Sequence, residues 1–284
     1  MQQHSIQRIV VCGAGTMGSG IAETAARAGF DTILYDPVAA ALDRAKTGIA
    51  RNLSQLVEKE KISAEEKAAT LSRLQFHDHI EACKADLVIE AIVEKTDVKQ
   101  DLFVQLAALN GPDTILASNT SSLSLTAIAS AIPHPERICG LHFFNPAQVM
   151  KLVELVYTPW TSEAVLQIAG AVVEQMGKTA VLCKDAPGFI VNRVARHFYL
   201  EPLRIAAMGT MDYAVIDQVM ENAGFRMGPF KLMDLIGNDI NLAVTRSLYE
   251  ACGKPERFRP SPLQEEKVAK GTLGRKTGEG YYTY

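Results

Sequence analysis

The alternation of hydrophobic and polar positions in the first 36 residues predicts a strand, a helix and a second strand. Residues 6–11 are apolar and β-branched, which is typical of a short buried strand. Residues 19–29 are rich in alanine and end in a glycine, where a helix C-cap is expected. Residues 32–35 form the second apolar run, and Asp36 follows it. This order predicts the first unit of an α/β sheet.

The turn between the first strand and the helix is a GxGxxG motif over residues 13–18. Gly13 permits a tight turn, Gly15 has no Cβ to keep a pyrophosphate away, and Gly18 lets the helix pack closely on the strand. The amides around Thr16 and Met17 would point at the phosphates, where the helix dipole favours negative charge. The motif in this setting therefore predicts a dinucleotide site.

Asp36 lies 18 residues after Gly18, at the end of the second predicted strand. Its carboxylate would accept hydrogen bonds from the adenosine ribose and would repel a 2′-phosphate. Pro37 follows it, where an NADP enzyme would carry an arginine, so NAD is favoured over NADP. On these residues alone, FAD or a glycine turn without a ligand also remains open.

Strands continue to alternate with helices as far as residue 182, which predicts a doubly wound, mostly parallel sheet. Residues 38–74 are predicted to be helical with a turn near 62–63, either as an antiparallel pair protruding from the sheet or as two ordinary surface helices. After residue 184 the periodicity is helical throughout. We therefore expect a Rossmann-type domain over 1–184, with a helical-pair insertion near 38–74, and an all-helical domain over 185–284. Further strands are predicted at 85–91, 114–117, 137–142, 152–156 and 179–182.

The composition indicates a globular protein of ordinary charge, without features of a nucleic-acid-binding or membrane-spanning protein. The chain has 284 residues, 48% of them hydrophobic, and a net charge of −3, which gives no reason to expect nucleic acid or an anionic membrane as a partner. No apolar run approaches the ~20 residues of a membrane span. The first strand begins almost at the N-terminus, leaving no room for a targeting peptide. Five scattered cysteines predict free thiols in a reducing compartment and no metal site, so we expect a cytoplasmic protein.

His142 and Glu154 are the candidate catalytic pair. His142 ends a predicted strand, where open α/β sheets place their ligands, and imidazole exchanges a proton near neutral pH. Glu154 interrupts an apolar run, where a carboxylate is costly unless it is paired. The two could meet across the sheet end and act as a base with its acidic partner. A structural histidine and an outward-facing glutamate are the alternatives.

Two further polar residues could donate a hydrogen bond to a carbonyl oxygen. Ser121 lies in a polar turn between a predicted strand and a helix, where it could equally serve as an N-cap. Asn192 lies inside a predicted helix, although asparagine is a mediocre helix former. Spacing alone singles out neither residue.

Seven segments in this order resemble the L-3-hydroxyacyl-CoA dehydrogenase family over essentially the whole chain. They are GAGTMG at 13–18, IEAIVE at 89–94, SNTSS at 118–122, HFFNP at 142–146, LVELV at 152–156, PGFIVNR at 187–193 and KTGEGY at 276–281. The resemblance is strongest to the compact single-chain members of the family, the 3-hydroxybutyryl-CoA dehydrogenases. It implies fatty-acid metabolism of the β-oxidation type, an acyl-CoA substrate, NAD as cofactor and a homodimer formed through the helical domain.

The resemblance also implies roles for individual residues. His142 matches the family's catalytic histidine and Glu154 its acidic partner, while Ser121 and Asn192 match residues that hold the substrate. The matches near the nicotinamide half of NAD are Glu94, Lys99, Asn145 and Lys276. Asn52 and Lys59 are the counterparts of coenzyme A contacts.

Two rival functions remain on the sequence. One is a related NAD-dependent dehydrogenase of free hydroxy acids or sugar acids, which would not need coenzyme A. The other is a non-catalytic NAD-binding protein, although such a protein has no need for His142, Glu154, Ser121 and Asn192 together.

Overall fold

The computed structural model describes residues 6–284, and residues up to Asp185 form one compact unit while Ala186–Tyr284 form a second. The strands are β1 (Arg8–Cys12), β2 (Asp31–Tyr35), β3 (Leu74–His77), β4 (Leu87–Glu90), β5 (Ile115–Ser118), β6 (Ile138–Phe143), β7 (Leu152–Tyr157) and β8 (Thr179–Lys184). The helices of the first unit are α1 (Thr16–Arg27), α2 (Ala39–Glu58), α3 (Ala64–Ser72), α4 (Thr96–Leu109), α5 (Leu125–Ala129) and α6 (Glu163–Gln175).

All eight strands belong to one sheet, in the order β3-β2-β1-β4-β5-β6-β7-β8. The first six are parallel, β7 runs antiparallel to β6, and β8 is parallel to β7. The predicted doubly wound, mostly parallel sheet is therefore confirmed. Strand order reverses between β1 and β4, and ligands of such sheets bind at that crevice, beyond the carboxyl ends of the strands.

The core of the first unit follows from its apolar strands. Every residue of β4, β5 and β6 is buried, as expected of parallel strands covered on both faces. Ile9, Leu34 and Ile89 from the strands pack in one cluster with Ile21 of α1 and Val172 of α6. This packing fixes the strand ends on which the polar candidate residues stand.

The helix predicted to reach residue 74 needs correction at its end. It ends at Ser72, and Leu74–His77 form the edge strand β3, which is too short to show a periodicity. Helices α2 and α3 contact each other and α1, and Ile49 and Leu53 of α2 are buried in the core. The helical-pair insertion itself stays a prediction.

The second unit is helical, with α7 (Val191–Ala207), α8 (Tyr213–Asn222), α9 (Pro229–Ile236), α10 (Asn238–Ala251) and α11 (Pro262–Ala269). Two buried aspartates organise it. Asp217 accepts hydrogen bonds from the first amides of α9 and from the hydroxyl of Tyr282. Asp234 accepts from the backbone amides of Tyr281 and Tyr282, so the C-terminal segment is held against α9.

Neither membrane-spanning helices nor disulfides occur in the described part of the chain. None of its helices is both long and apolar enough to cross a bilayer. All five cysteines are free thiols, and four of them are buried.

Candidate active site

The glycine-rich turn follows β1 and has the geometry that its sequence requires. Gly13 has a φ of +107°, and its amide donates to the carbonyl of Tyr35 at 2.7 Å. A Cβ on Gly18 would stand 1.7 Å from the carbonyl oxygen of Gly13, so only glycine fits there. Nothing lies within 4 Å of a Cβ built on Gly15, just before α1 begins. The open space at a helix N-terminus is the cradle that a pyrophosphate needs.

Asp36 contacts this turn directly. Its Oδ2 accepts the amide of Ala14 at 2.8 Å, and its Oδ1 accepts the amide of Val38 at 2.9 Å. The carboxylate therefore fixes the glycine turn while it remains partly exposed at the end of β2. The sequence assigned Asp36 a ribose-binding role only, and its hold on the turn is an additional finding.

A cavity of about 980 Å³ extends along the turn. Its volume lies at the upper end of the range for small-molecule and cofactor sites. Six residues predicted to bind either the cofactor or coenzyme A line it: Gly13, Gly15, Thr16, Asp36, Asn145 and Asn52. One cavity thus brings these predicted contacts together.

His142 and Glu154 occupy directly opposite positions on the antiparallel strands β6 and β7. The Nδ1 atom of His142 lies 2.7 Å from Oε2 of Glu154, and the two residues are only 5% and 1% exposed. Because an ionised carboxylate only accepts hydrogen bonds, the contact places the ring proton on Nδ1. The ring of Phe144 packs against the imidazole at 4.6 Å between centroids. The contact expected across the sheet end is thus present, at the carboxyl end of β6.

The turn after β5 is organised around the carboxylate of Glu94. Its Oε1 accepts the hydroxyl of Thr120 at 2.6 Å and the amides of Ser121 and Ser122 at 2.9 and 3.2 Å. The ammonium of Lys99 lies 3.2 Å from its Oε2. Burial opposes the ionisation of Glu94, but Lys99, Thr120 and Ser121 outweigh it and lower the pKa of Glu94, which is therefore charged at neutral pH.

Lys99 is buried at 1% exposure, and its ammonium also lies 2.5 Å from Oε1 of Glu90. A buried ammonium requires such partners, because removing it from water is costly. The position of Lys99 is therefore set by two carboxylates, the enclosed Glu90 and the partly exposed Glu94.

The remaining candidates are placed as follows. Asn52 of α2 donates to Oε2 of the buried Glu23 at 3.4 Å, and Lys59 is exposed at the end of α2, about two helical turns further on. In the second unit, Asn192 lies in the first turn of α7. Lys276 pairs with Asp239, its Nζ lying 2.6 Å from Oδ1. The cofactor role that the resemblance implies for Lys276 stays a prediction.

Sequence reasoning missed Glu90 and Asn119. Glu90 ends the buried strand β4 with 0% exposure, and Asn119 accepts the amide of Phe143, beside His142, at 2.9 Å. The signal for Glu90 was available, because a carboxylate ending an apolar strand is the same anomaly that singled out Glu154. Asn119 carried no such signal, since polar residues are ordinary in a turn.

Fold and site together define a dinucleotide-binding protein of the Rossmann type, with a glycine-rich turn at the switch point of the sheet. Residues 8–186 match the family model for the NAD binding domain of 3-hydroxyacyl-CoA dehydrogenase. Residues 188–284 match the model for the C-terminal domain of the same enzymes. The chain therefore belongs to the 3-hydroxyacyl-CoA dehydrogenase family of NAD-dependent oxidoreductases, as the sequence motifs predicted.

Curated relatives and solved structures agree with this family. The chain is 48% identical over 282 residues to 3-hydroxyadipyl-CoA dehydrogenase of Escherichia coli K12, covering 99% of this chain but 59% of that protein. It is 41% identical over 276 residues to a probable 3-hydroxybutyryl-CoA dehydrogenase of Deinococcus radiodurans, covering 96% and 99% of the two chains. The structure of (S)-3-hydroxybutyryl-CoA dehydrogenase from Ralstonia eutropha matches with a TM-score of 0.95 at 38% identity, covering 99% of each chain.

Proposed function

We propose that the protein catalyses the reversible, NAD-dependent oxidation of short-chain (S)-3-hydroxyacyl-CoA, such as 3-hydroxybutyryl-CoA, to 3-oxoacyl-CoA. The observation that carries the proposal is the buried contact between His142 and Glu154, at the edge of the sheet that also carries the glycine turn. Relatives named for 3-hydroxybutyryl-CoA and 3-hydroxyadipyl-CoA support the substrate class.

In the proposed mechanism His142 is the general base. Because its Nδ1 faces Glu154, Nε2 is the nitrogen that takes the proton of the 3-hydroxyl group. NAD, when bound, accepts the hydride that leaves carbon 3, so one hydride and one proton account for the oxidation. Glu154 stabilises the imidazolium that forms and holds the ring in one tautomer. In the reductive direction the same imidazolium returns the proton to the oxygen.

The other residues are proposed to bind and orient. Ser121 and Asn192 would hold the 3-oxygen and the thioester region of the substrate. Residues 13–18 with Asp36 would hold the adenosine and pyrophosphate of NAD, and Glu94 with Asn145 would lie towards its nicotinamide half. Asn52 and Lys59 would contact coenzyme A, and their spacing of seven residues puts them on one face of α2.

The assay that tests the function follows NADH consumption by the purified protein. Acetoacetyl-CoA is compared with 3-oxoadipyl-CoA, free acetoacetate and an NADPH control. Turnover with a coenzyme A thioester and NADH alone supports the proposal, and the ratio of kcat/KM between the two thioesters assigns the acyl group. Equal turnover of free acetoacetate would favour the hydroxy-acid dehydrogenase instead. NADH binding without turnover of any substrate would favour the non-catalytic protein.

Asp36→Ala is expected to weaken NADH binding by about 10- to 100-fold, because a hydrogen bond to a charged group contributes roughly 1.5–3 kcal/mol. Discrimination against NADPH should fall as well, since the carboxylate that repels the 2′-phosphate is gone. The measurement is the Kd of both cofactors by fluorescence titration. Asp31→Ala, at the exposed start of the same strand, serves as the control. An unchanged Kd for NADH in Asp36→Ala would overturn the assignment.

We also propose that residues 1–184 form the NAD-binding domain and that the helical domain over 185–284 contributes to the substrate site and forms a homodimer. Large apolar side chains exposed in the second unit support the dimer, since an interface would remove them from water. Val194 and Met208 are 69% and 73% exposed, and Val219 and Phe225 are exposed as well. Sedimentation equilibrium should give twice the 30.9 kDa of one chain at micromolar concentration. A mass of 30.9 kDa at all concentrations would contradict it.

A further inference from the structure

Glu90 ends β4 beneath the candidate site, and its carboxylate is completely enclosed. It accepts three hydrogen bonds, from the hydroxyl of Ser118 at 2.6 Å, the amide of Ile92 at 2.7 Å and the ammonium of Lys99 at 2.5 Å. None of the roles in the proposed mechanism involves Glu90. A buried carboxylate with three donors is held firmly, so it can serve as a fixed point for the groups that bind it.

Lys99 links Glu90 to Glu94. Its ammonium lies between Glu90 and Glu94, so one cation is shared by two carboxylates. If Glu90 lost its charge, the ammonium would retain only Glu94 as an ionic partner in this cluster. Lys99 and Glu90 are both enclosed, so losing their attraction is expected to shift the ammonium and, with it, the carboxylate of Glu94.

Glu94 in turn fixes the turn that carries Ser121. Three consecutive residues, Thr120, Ser121 and Ser122, direct donors at its Oε1. The hydroxyl of Ser122 contributes a further hydrogen bond at 3.2 Å. The turn is thus wrapped around a carboxylate whose position depends on Lys99.

The same turn reaches the strand of His142. The side chain of Asn119 accepts the amide of Phe143, and the amide of Asn119 donates to the carbonyl of Glu90. One short segment therefore connects Glu90 with the residue next to His142. Displacement of this segment would alter the position of Ser121 and of His142 together.

We propose that Glu90 is a positioning residue: through Lys99 and Glu94 it fixes the turn over residues 118–122 that holds Ser121 and the end of β6 in place for the reaction. The proposal rests on the proposed function, since it assumes that Ser121 and His142 contact the substrate. Glu90 itself remains below the site and contacts neither substrate nor cofactor.

The variant Glu90→Gln tests the proposal, because it keeps the shape of the side chain and removes its charge. We expect kcat with acetoacetyl-CoA to fall about 100-fold, the loss that a misplacement of about 1 Å can cause. Asn110→Ala is the matched control. Asn110 is also buried and makes three hydrogen bonds, but it lies near the amino end of β4. This control should lower the melting temperature and leave kcat unchanged.

A double-mutant cycle with Glu94→Gln separates positioning from general destabilisation. If Glu90 acts through Glu94, the double variant should have about the same kcat as Glu94→Gln alone, because both changes break the same chain of interactions. Effects on kcat that multiply would overturn the proposal, as would a Glu90→Gln enzyme with unchanged kcat. Should Glu90→Gln fail to fold, Ser118→Ala is the milder variant, because it removes one hydrogen-bond donor to Glu90 and leaves the carboxylate in place. It is expected to lower kcat in the wild type but not further in Glu94→Gln.

Amide hydrogen exchange measures the order of the turn over residues 118–122 without depending on catalysis. Peptides covering residues 118–123 should exchange faster in Glu90→Gln than in the wild type, because the amides of Ser121 and Ser122 lose a fixed acceptor. Unchanged exchange would count against the positioning role. Faster exchange in a protein that turns over no thioester would overturn the proposed function, while still showing that Glu90 fixes the turn over residues 118–122.

Discussion

His142→Ala is expected to lose roughly 10²–10⁴-fold in kcat while binding NADH with nearly unchanged affinity. The imidazole is only 5% exposed and lies against Glu154, at the end of a strand that does not contribute to the glycine turn. Removing it deletes the proposed base and leaves the cradle for the dinucleotide intact. Steady-state turnover of acetoacetyl-CoA and fluorescence titration of NADH measure the two quantities separately.

Glu154→Gln is the companion variant for His142→Ala. A glutamine can still accept the Nδ1 proton, but it carries no charge to stabilise an imidazolium. We expect a smaller loss of kcat than in His142→Ala, since the ring keeps its tautomer and loses only the charge that stabilises its protonated form. A His142→Ala enzyme that turns over normally, or one that loses NADH binding to the same extent as turnover, would contradict a purely chemical role for the histidine.

Gly18→Ala is expected to lower the free energy of unfolding by about 3 kcal/mol and to abolish tight NADH binding. The added methyl carbon would lie 1.7 Å from the carbonyl oxygen of Gly13, which is backbone and cannot rotate away. Either α1 moves off β1 or the turn opens, and both displace the amides that would face a pyrophosphate. Thermal unfolding and NADH titration measure these effects.

Substitutions at two other glycines distinguish effects on stability from effects on NADH binding. Gly15→Ala meets no atom within 4 Å, so we expect normal stability together with weak NADH binding, because the methyl group occupies the cradle. Gly170→Ala, within α6, meets only a side-chain carbon at 3.8 Å and should raise stability by about 0.5–1 kcal/mol without affecting NADH. Normal stability and normal NADH binding in Gly18→Ala would contradict the packing seen at the turn.

Much of the sheet could be predicted because its strands are buried on both faces. Runs such as Val88–Glu90 and Ile138–Phe143 are apolar enough to stand out, and their order along the chain indicates parallel strands. Strand β3 could not be recognised, since only Leu74 of its four residues is buried and the strand follows a helix almost directly. Packing of α2 and α3 on α1 is a tertiary outcome that helical periodicity does not reveal.

The candidate site was predictable where a residue conflicted with its surroundings. Glu154 in an apolar strand needed a partner, and a histidine near the end of the preceding strand was the plausible one. The links among Glu90, Lys99 and Glu94 could not be derived, because a lysine on an amphipathic helix is ordinarily exposed. Likewise, the sequence gives no sign that Lys276 pairs with Asp239, which lies 37 residues earlier.

Because β7 runs antiparallel to β6, the candidate catalytic pair of His142 and Glu154 becomes ordered when the sheet folds. Glu154 lies near the beginning of β7, and the reversed direction of that strand brings it to the edge where β6 ends. Its backbone is bonded on both sides, to β6 through His142 and to β8 through Val181. The backbone at His142 and Glu154 therefore loses its conformational entropy when the sheet folds, before any ligand binds. Ligand binding then does not have to include the cost of ordering this backbone, so the pair is in place before the reaction begins.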